Sequence, residues 1–93
     1  MFPTELAQFL DALASPNRQR ILLLFARGES LSVSEIAARV ELSMATVSAH
    51  LKALRQGGLL VANKQGKEVF YAPNVAVVRE RMAQLQQYLN SCC

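Results

Sequence analysis

The chain of 93 residues is 52% hydrophobic and carries 10 Lys and Arg against 7 Asp and Glu, for a net charge of +3. That length suits one domain near the lower limit for a self-sufficient core, and so apolar a small chain usually covers its excess with a second copy of itself. No apolar run approaches the roughly 18 residues a membrane span needs, and the opening MFPTEL lacks the charged and apolar regions of an export signal. The two cysteines, Cys92 and Cys93, are adjacent and end the chain, so they form no disulfide framework, and a reducing cytoplasm is the expected compartment.

Alanine and leucine dominate and tryptophan is absent, which predicts helices around an aliphatic core. Thr4 is placed to cap a first helix reaching about Ala14, with Leu6, Phe9, Leu10 and Leu13 on one stripe. Ser15 reads as the cap of a second helix and Pro16 as its first residue, where the missing N–H costs nothing. That helix is expected to run to Arg27, stop at Gly28, and be central, because residues 21–26 are all apolar. Ser32 and Glu35 have the spacing of a capping box and open a short third helix with Ile36, Ala37 and Val40 inward. Ser43 can cap a fourth helix that buries Val47, Leu51 and Leu54 and ends at Gly57 and Gly58. Two short helices joined by a tight turn give a helix-turn-helix outline.

The period then changes. Residues 60–64 and 68–72 read as two strands, with Gln65, Gly66 and Lys67 as the turn and Pro73 and Asn74 as the break that follows. A last helix is predicted over 75–90. Its stripe of Val75, Val78, Met82, Leu85 and Leu89 has heptad spacing, which suits packing against another helix, and the next position in that register is Cys92. The expected order is α-α-α-α-β-β-α, a mainly α fold with a small β-hairpin and no internal repeat. Charge is concentrated within it: Lys52, Arg55, Lys64 and Lys67 stand against Glu68 alone between residues 43 and 72, which accounts for the whole net charge. A basic stretch in neutral surroundings suits a polyanion.

Three stretches resemble the ArsR-type (ArsR/SmtB) winged helix-turn-helix repressors. LASPNRQRILLLF is similar to that family's Pro-x-Arg-x-x-Ile-Leu opening, LSVSEIAARVELSMATVSAHLKALRQGGLL to its helix-turn-helix, and KQGKEVFY to its wing. The resemblance covers about residues 13–73. It implies a homodimer joined through the first and last helices, which represses transcription from double-stranded DNA until an effector releases it.

The fourth helix then becomes the recognition helix, and its unburied residues are the candidate DNA contacts: Ser43, Met44, Ala45, Thr46, Ser48, Ala49, His50 and Lys52. Small side chains at Ala45, Thr46, Ser48 and Ala49 allow close approach to a major groove; Ala45, Ala49 or the Thr46 methyl can meet a thymine methyl, and Thr46 and Ser48 can bond base edges or phosphates. Lys52 and Arg55 are better placed for phosphate, and Lys64 and Lys67 flank the wing tip. Family members often carry a long polar or basic residue where this chain has Met44 or Ala49, so base readout is expected to be lean, with weight on DNA shape. An inverted-repeat operator follows from the implied two-fold symmetry. The only histidine, His50, is expected to be a polar surface contact rather than a metal ligand, Met44 and Met82 to be packing residues, and Arg18 and Arg20 to be structural or phosphate-facing.

The family's effector sites are mostly lacking. One branch uses a Cys-x-Cys pair where this chain has Ser32 and Ser34, and hydroxyls are poor ligands for soft ions. Another uses Asp, His and Glu on the last helix, which here has no histidine. A third, arsenical-sensing branch ends that helix in a Cys-Cys pair followed by a third cysteine. Cys92 and Cys93 resemble that pair, and the third thiol is missing. Two thiolates suit a monosubstituted trivalent arsenical; a redox or electrophile switch is equally open, as is an end with no effector role. Among other classes, a winged-helix protein-interaction module would show an acidic or apolar face on the fourth helix. An enzyme would need a nucleophile-base pair, paired carboxylates or a phosphate loop, none of which is present.

Overall fold

A computed structural model describes all 93 residues. In chain order the elements are α1 (Thr4–Leu13), α2 (Pro16–Leu23), β1 (Leu31–Ser32), α3 (Val33–Val40), α4 (Met44–Gln56), β2 (Leu60–Gln65), β3 (Glu68–Pro73) and α5 (Val75–Cys92). This is the expected mainly α winged helix-turn-helix, with one strand more than the sequence suggested.

The first loop locks two helix ends together. The C-terminal carbonyls of α1 have no partners within their own helix. Arg18 supplies them from α2, its Nε donating to Ala12 O at 2.8 Å and its Nη2 to Asp11 O at 3.1 Å, while Gln19 Nε2 donates to Leu13 O at 2.8 Å. A cation suits that end of the helix dipole. Arg20 does the same for α3, donating to Val40 O at 3.0 Å. Arg18 and Arg20 thus clamp the ends of α1 and α3, the structural role that the sequence allowed them. The cap of α1 is Pro3 and not Thr4: Pro3 holds an extended ψ of 153°, whereas Thr4 is already the first helical residue and its side chain makes no cap bond.

Ser15 caps α2 as expected, accepting from Arg18 N–H at 3.3 Å, with Pro16 in the first turn. The helix ends at Leu23 and does not reach Arg27. Its last turns tighten, with Leu24, Phe25 and Ala26 each donating to the carbonyl three residues back, before Gly28 turns the chain at φ 74°. The tightening brings Phe25 into the core and leaves Leu23 74% exposed, so residues 21–26 are not one continuous buried segment.

The capping box forms: Ser32 Oγ accepts from Glu35 N–H at 3.2 Å and Glu35 Oε1 accepts from Ser32 N–H at 3.0 Å. The backbone N–H of Ser32 holds the Glu35 carboxyl below its ordinary range. After α3 the chain reverses through Glu41, the one non-glycine residue with positive φ, at 58°. Ser43 then caps α4, accepting from Thr46 N–H at 3.1 Å. At the far end of α4, Gly57 allows a close crossing, since a Cβ there would lie 2.7 Å from Ala12 Cβ and 3.0 Å from Gln8 O. Gly58, at φ 82°, does the same for Val77 of α5, whose Cγ1 would meet an added Cβ at 2.8 Å.

The sheet is antiparallel in the order β1-β3-β2. Pairing of Gln65 with Glu68 leaves Gly66 and Lys67 as a two-residue turn, with Gly66 at φ 63°. Pro73 lies opposite Leu60 and is still part of the strand, so the break falls one residue later. The unforeseen β1 pairs Leu31 with Tyr71 and Ser32 with Phe70. Two residues carry no alternation a sequence reading could detect, so tertiary pairing alone makes this strand.

Leu6, Phe9, Ile21, Ile36, Val47, Leu51, Leu54 and Tyr71 belong to one core, which draws on all four leading helices and the hairpin. Asn74 ties α5 to that body, with its N–H donating to Leu59 O at 2.9 Å and its side chain accepting from Val77 N–H at 3.5 Å. The helix runs two residues beyond its predicted end, through Cys92, yet buries no residue of its own. Its heptad stripe divides into two rows. Val78 and Leu85 pack against the core, while Val75, Met82 and Leu89 are exposed. Phe2 meets Tyr88 of α5 in a tilted ring contact, with centroids 5.1 Å apart and planes at 48°.

Candidate nucleic-acid interface

Helix α4 divides cleanly by face. Val47, Leu51 and Leu54 are wholly buried, and these positions pin one side of the helix into the body. Ser43, Met44, Ala45, Thr46, Ser48, Ala49, Lys52 and Arg55 are all exposed, and His50 is half-buried. Lys64 on β2 and Lys67 at the hairpin turn are exposed as well. Seven of those eight exposed residues are small, polar or basic, and Met44 is the exception, 54% exposed rather than packed away. Met82 is 52% exposed on α5, so neither methionine is a core packing residue.

At the start of α4 the Ser43 hydroxyl accepts from Thr46 N–H and donates to Thr46 Oγ1 at 2.8 Å. Thr46 therefore keeps its own proton for an acceptor outside the helix. A recess of about 260 Å³ opens between α3, α4 and the hairpin, lined by Ser32, Val33, Ser34, Met44, Ser48, Lys67, Glu68 and Val69. Sequence reasoning placed Met44, Ser48 and Lys67 at the interface but not Ser34, which it considered only as a missing cysteine. The signal was present in the Ser-x-Ser spacing, which sets both hydroxyls at the start of α3.

On α5 a shallow apolar groove of about 580 Å³ runs along Val78, Met82, Leu85 and Leu89, with Arg79, Ala83, Gln86 and Asn90 at its sides. At the end of this helix the sulfurs of Cys92 and Cys93 are paired with each other. Such a bond between neighbours closes no loop of chain and joins no two elements, so it is not a staple of the fold. Both residues are exposed, and Cys92 Sγ lies 3.5 Å from Leu89 O. Cys92 continues the row of Val78 and Leu85, the one turned to the chain's own core.

These features recur in known proteins. A sequence family described as a helix-turn-helix domain matches residues 13–61. The chain is similar to the transcriptional activator HlyU of Vibrio cholerae, 42% identical over 62 residues, which is 67% of this chain and 56% of that protein. It is also similar to the arsenic resistance transcriptional regulator ArsR1 of Pseudomonas putida, 41% identical over 59 residues, 63% of this chain and 46% of the other. In structure it is similar to a homodimeric winged helix-turn-helix DNA-binding domain from Mycobacterium bovis, a candidate ArsR-family regulator. That match has 31% identity and a TM-score of 0.74 and covers 95% of this chain and 81% of that one. The chain belongs to the ArsR/SmtB family of winged helix-turn-helix regulators. In family terms α4 is the recognition helix and β2–β3 the wing. The chain spans about half the length of the two curated relatives it matches here.

Proposed function

We propose that this protein is a dimeric, sequence-specific DNA-binding transcriptional repressor of the cytoplasm. One observation carries the reading: α4 buries its three apolar anchors and turns a small, polar and basic face outward. In this reading Ala45 and Ala49 approach base edges, Thr46 and Ser48 meet base edges or phosphates, and Met44 and His50 lie beside them. Ser43, Lys52, Arg55, Lys64 and Lys67 meet phosphates. The apolar groove on α5 is covered by the same groove of a second copy, together with α1. The homodimeric state of the related Mycobacterium bovis domain supports this choice of partner. The two recognition helices then lie about 34–36 Å apart and read an inverted repeat.

Titrating duplex DNA from the region upstream of the gene, across a salt series, tests the reading. The expected result is binding whose logarithm falls linearly with log salt, because cations that replace counterions on phosphates produce that slope. Absence of binding, or binding indifferent to salt, overturns it.

The effector in this reading enters at Cys92 and Cys93. As two thiols they can displace both exchangeable groups of a monosubstituted trivalent arsenical, forming two As–S bonds and releasing two waters from a dihydroxy form. Resemblance to the arsenical-sensing branch and to an arsenic resistance regulator supports this. A redox switch is the second reading, since two adjacent thiols can be joined as a disulfide. Reduction of that bond takes two electrons and two protons and yields the dithiol. Release of DNA by a trivalent arsenical, and separately by an oxidant, is measured on the wild type and on a Cys92→Ser, Cys93→Ser variant. Loss of arsenical release alone supports the first, loss of oxidant release alone the second, and no change in either removes the cysteines from the mechanism.

A further inference from the structure

We infer that the recess between α3, the recognition helix and the wing is a seat for one backbone phosphate of DNA, with Ser34 as its neutral donor. The inference rests on the DNA-binding reading above and adds a contact on the first helix of the helix-turn-helix, which that reading leaves unused.

The chemistry comes from three elements at once. Ser34 reaches the recess from α3, Ser48 from the recognition helix and Lys67 from the wing turn. Ser32 Oγ lies 3.2 Å from Ser34 Oγ. Ser32 is only 3% exposed, and a buried hydroxyl needs an acceptor for its proton. Either hydroxyl of this pair can donate; we assign Ser34 Oγ as the acceptor because it is the exposed one, which leaves its own proton for an acceptor outside. A hydroxyl that accepts one hydrogen bond also becomes a stronger donor. The Ser43–Thr46 pair at the start of α4 has the same construction, with a capping hydroxyl donating to its exposed neighbour. The two helices of the motif therefore each present one oriented donor, and Ser32 is a positioning residue for the first.

Charge selects DNA over a free anion. Glu68 shares the rim with Lys67, so the recess is close to neutral. A lone phosphate gains little from such a site. A phosphate delivered as part of a duplex, already held by Lys52, Arg55 and Lys64, needs only the local donors and shape. Glu68 thus weakens the seat for small anions.

The test uses the duplex that the wild-type protein selects best from a randomised pool, with single phosphates replaced by neutral methylphosphonates. Ser34→Ala is expected to weaken binding about fivefold with the salt slope unchanged, since no charge is lost. Ser34→Thr keeps the hydroxyl and is expected to bind like the wild type. Lys67→Gln should lower the slope by about one per half-site, and Glu68→Gln should tighten binding. The deciding measurement is coupling: one methylphosphonate per half-site weakens the wild type and has no further effect on Ser34→Ala. Identical methylphosphonate profiles for the two proteins overturn the seat while leaving DNA binding intact. Should Ser34→Ala melt below the wild type, Ser48→Ala is put through the same comparison from a different helix, and a profile like the wild type's overturns the seat there too. A larger thermal stabilisation of the wild type than of Ser34→Ala by inorganic phosphate would also overturn it, by showing a free-anion site. If the wild type selects no duplex, both the seat and the reading it rests on fall.

Discussion

Helices α4 and α5 carry similar apolar stripes and use them differently. Val47, Leu51 and Leu54 of α4 disappear wholly into the chain's own core. On α5 only Val78 and Leu85 find that core, and Val75, Met82 and Leu89 stay in solvent on an 18-residue helix. The α4 stripe is completed by the chain's own core, while in the dimeric reading proposed above the exposed half of the α5 stripe is left for a second copy.

The largest expected effect lies on the α4 side. Leu51→Ala removes a side chain with no exposed surface and should cost about 2–5 kcal/mol, measured by urea denaturation at several protein concentrations. A loss that vanished at high protein concentration would place Leu51 in assembly and undo the contrast. Next is Gly57→Ala, whose new Cβ meets Ala12 Cβ and Gln8 O. Overpacking of about 1–3 kcal/mol is expected, read as a lower melting temperature. On the α5 side, Leu89→Glu should change the stability of the folded monomer by less than about 0.5 kcal/mol, because the site is exposed. It should nonetheless convert dimer to monomer in sedimentation equilibrium, since a carboxylate would be buried unpaired in the apolar seam. An unchanged dimer would separate α5 from assembly.

The smallest effect is a pH dependence on the α3 side of the same motif. The Glu35 carboxyl is held below its ordinary range in the folded state, so its contribution is present in full above the usual glutamate pKa. That contribution is lost as pH falls through the lowered folded value. Glu35→Gln should therefore narrow its stability difference from the wild type in acid melts, and a difference constant from neutral pH downward would contradict the capping assignment.

Most of this architecture was legible in the residues because it is written in local signals. Ser15, Ser32 and Ser43 each cap the helix that their spacing indicated. Gly66 turns the hairpin, and the buried sides of α3 and α4 contain the predicted residues. The illegible parts depend on distant partners. Strand β1 exists only because β3 lies beside it. The shortening of α2 follows from drawing Phe25 inward, and Glu41 takes a left-handed conformation that nothing in its neighbours' identities demands. The candidate interface was legible for α4 and the wing, where composition and face agree. Ser34 was not, since its significance depends on the fold carrying Lys67 and Ser48 to the same recess.

The joint at Gly58 gives α5 a mechanical character. Val77 fills the space a side chain would take, and Asn74 bonds back to Leu59, so the entry of α5 is packed against the exit of α4. From that joint α5 extends for 18 residues, roughly 27 Å at 1.5 Å per residue, resting on the body through Val78, Leu85 and Tyr88. The cysteine pair sits at the far end of that length, and the last turn of α4 lies at its near end.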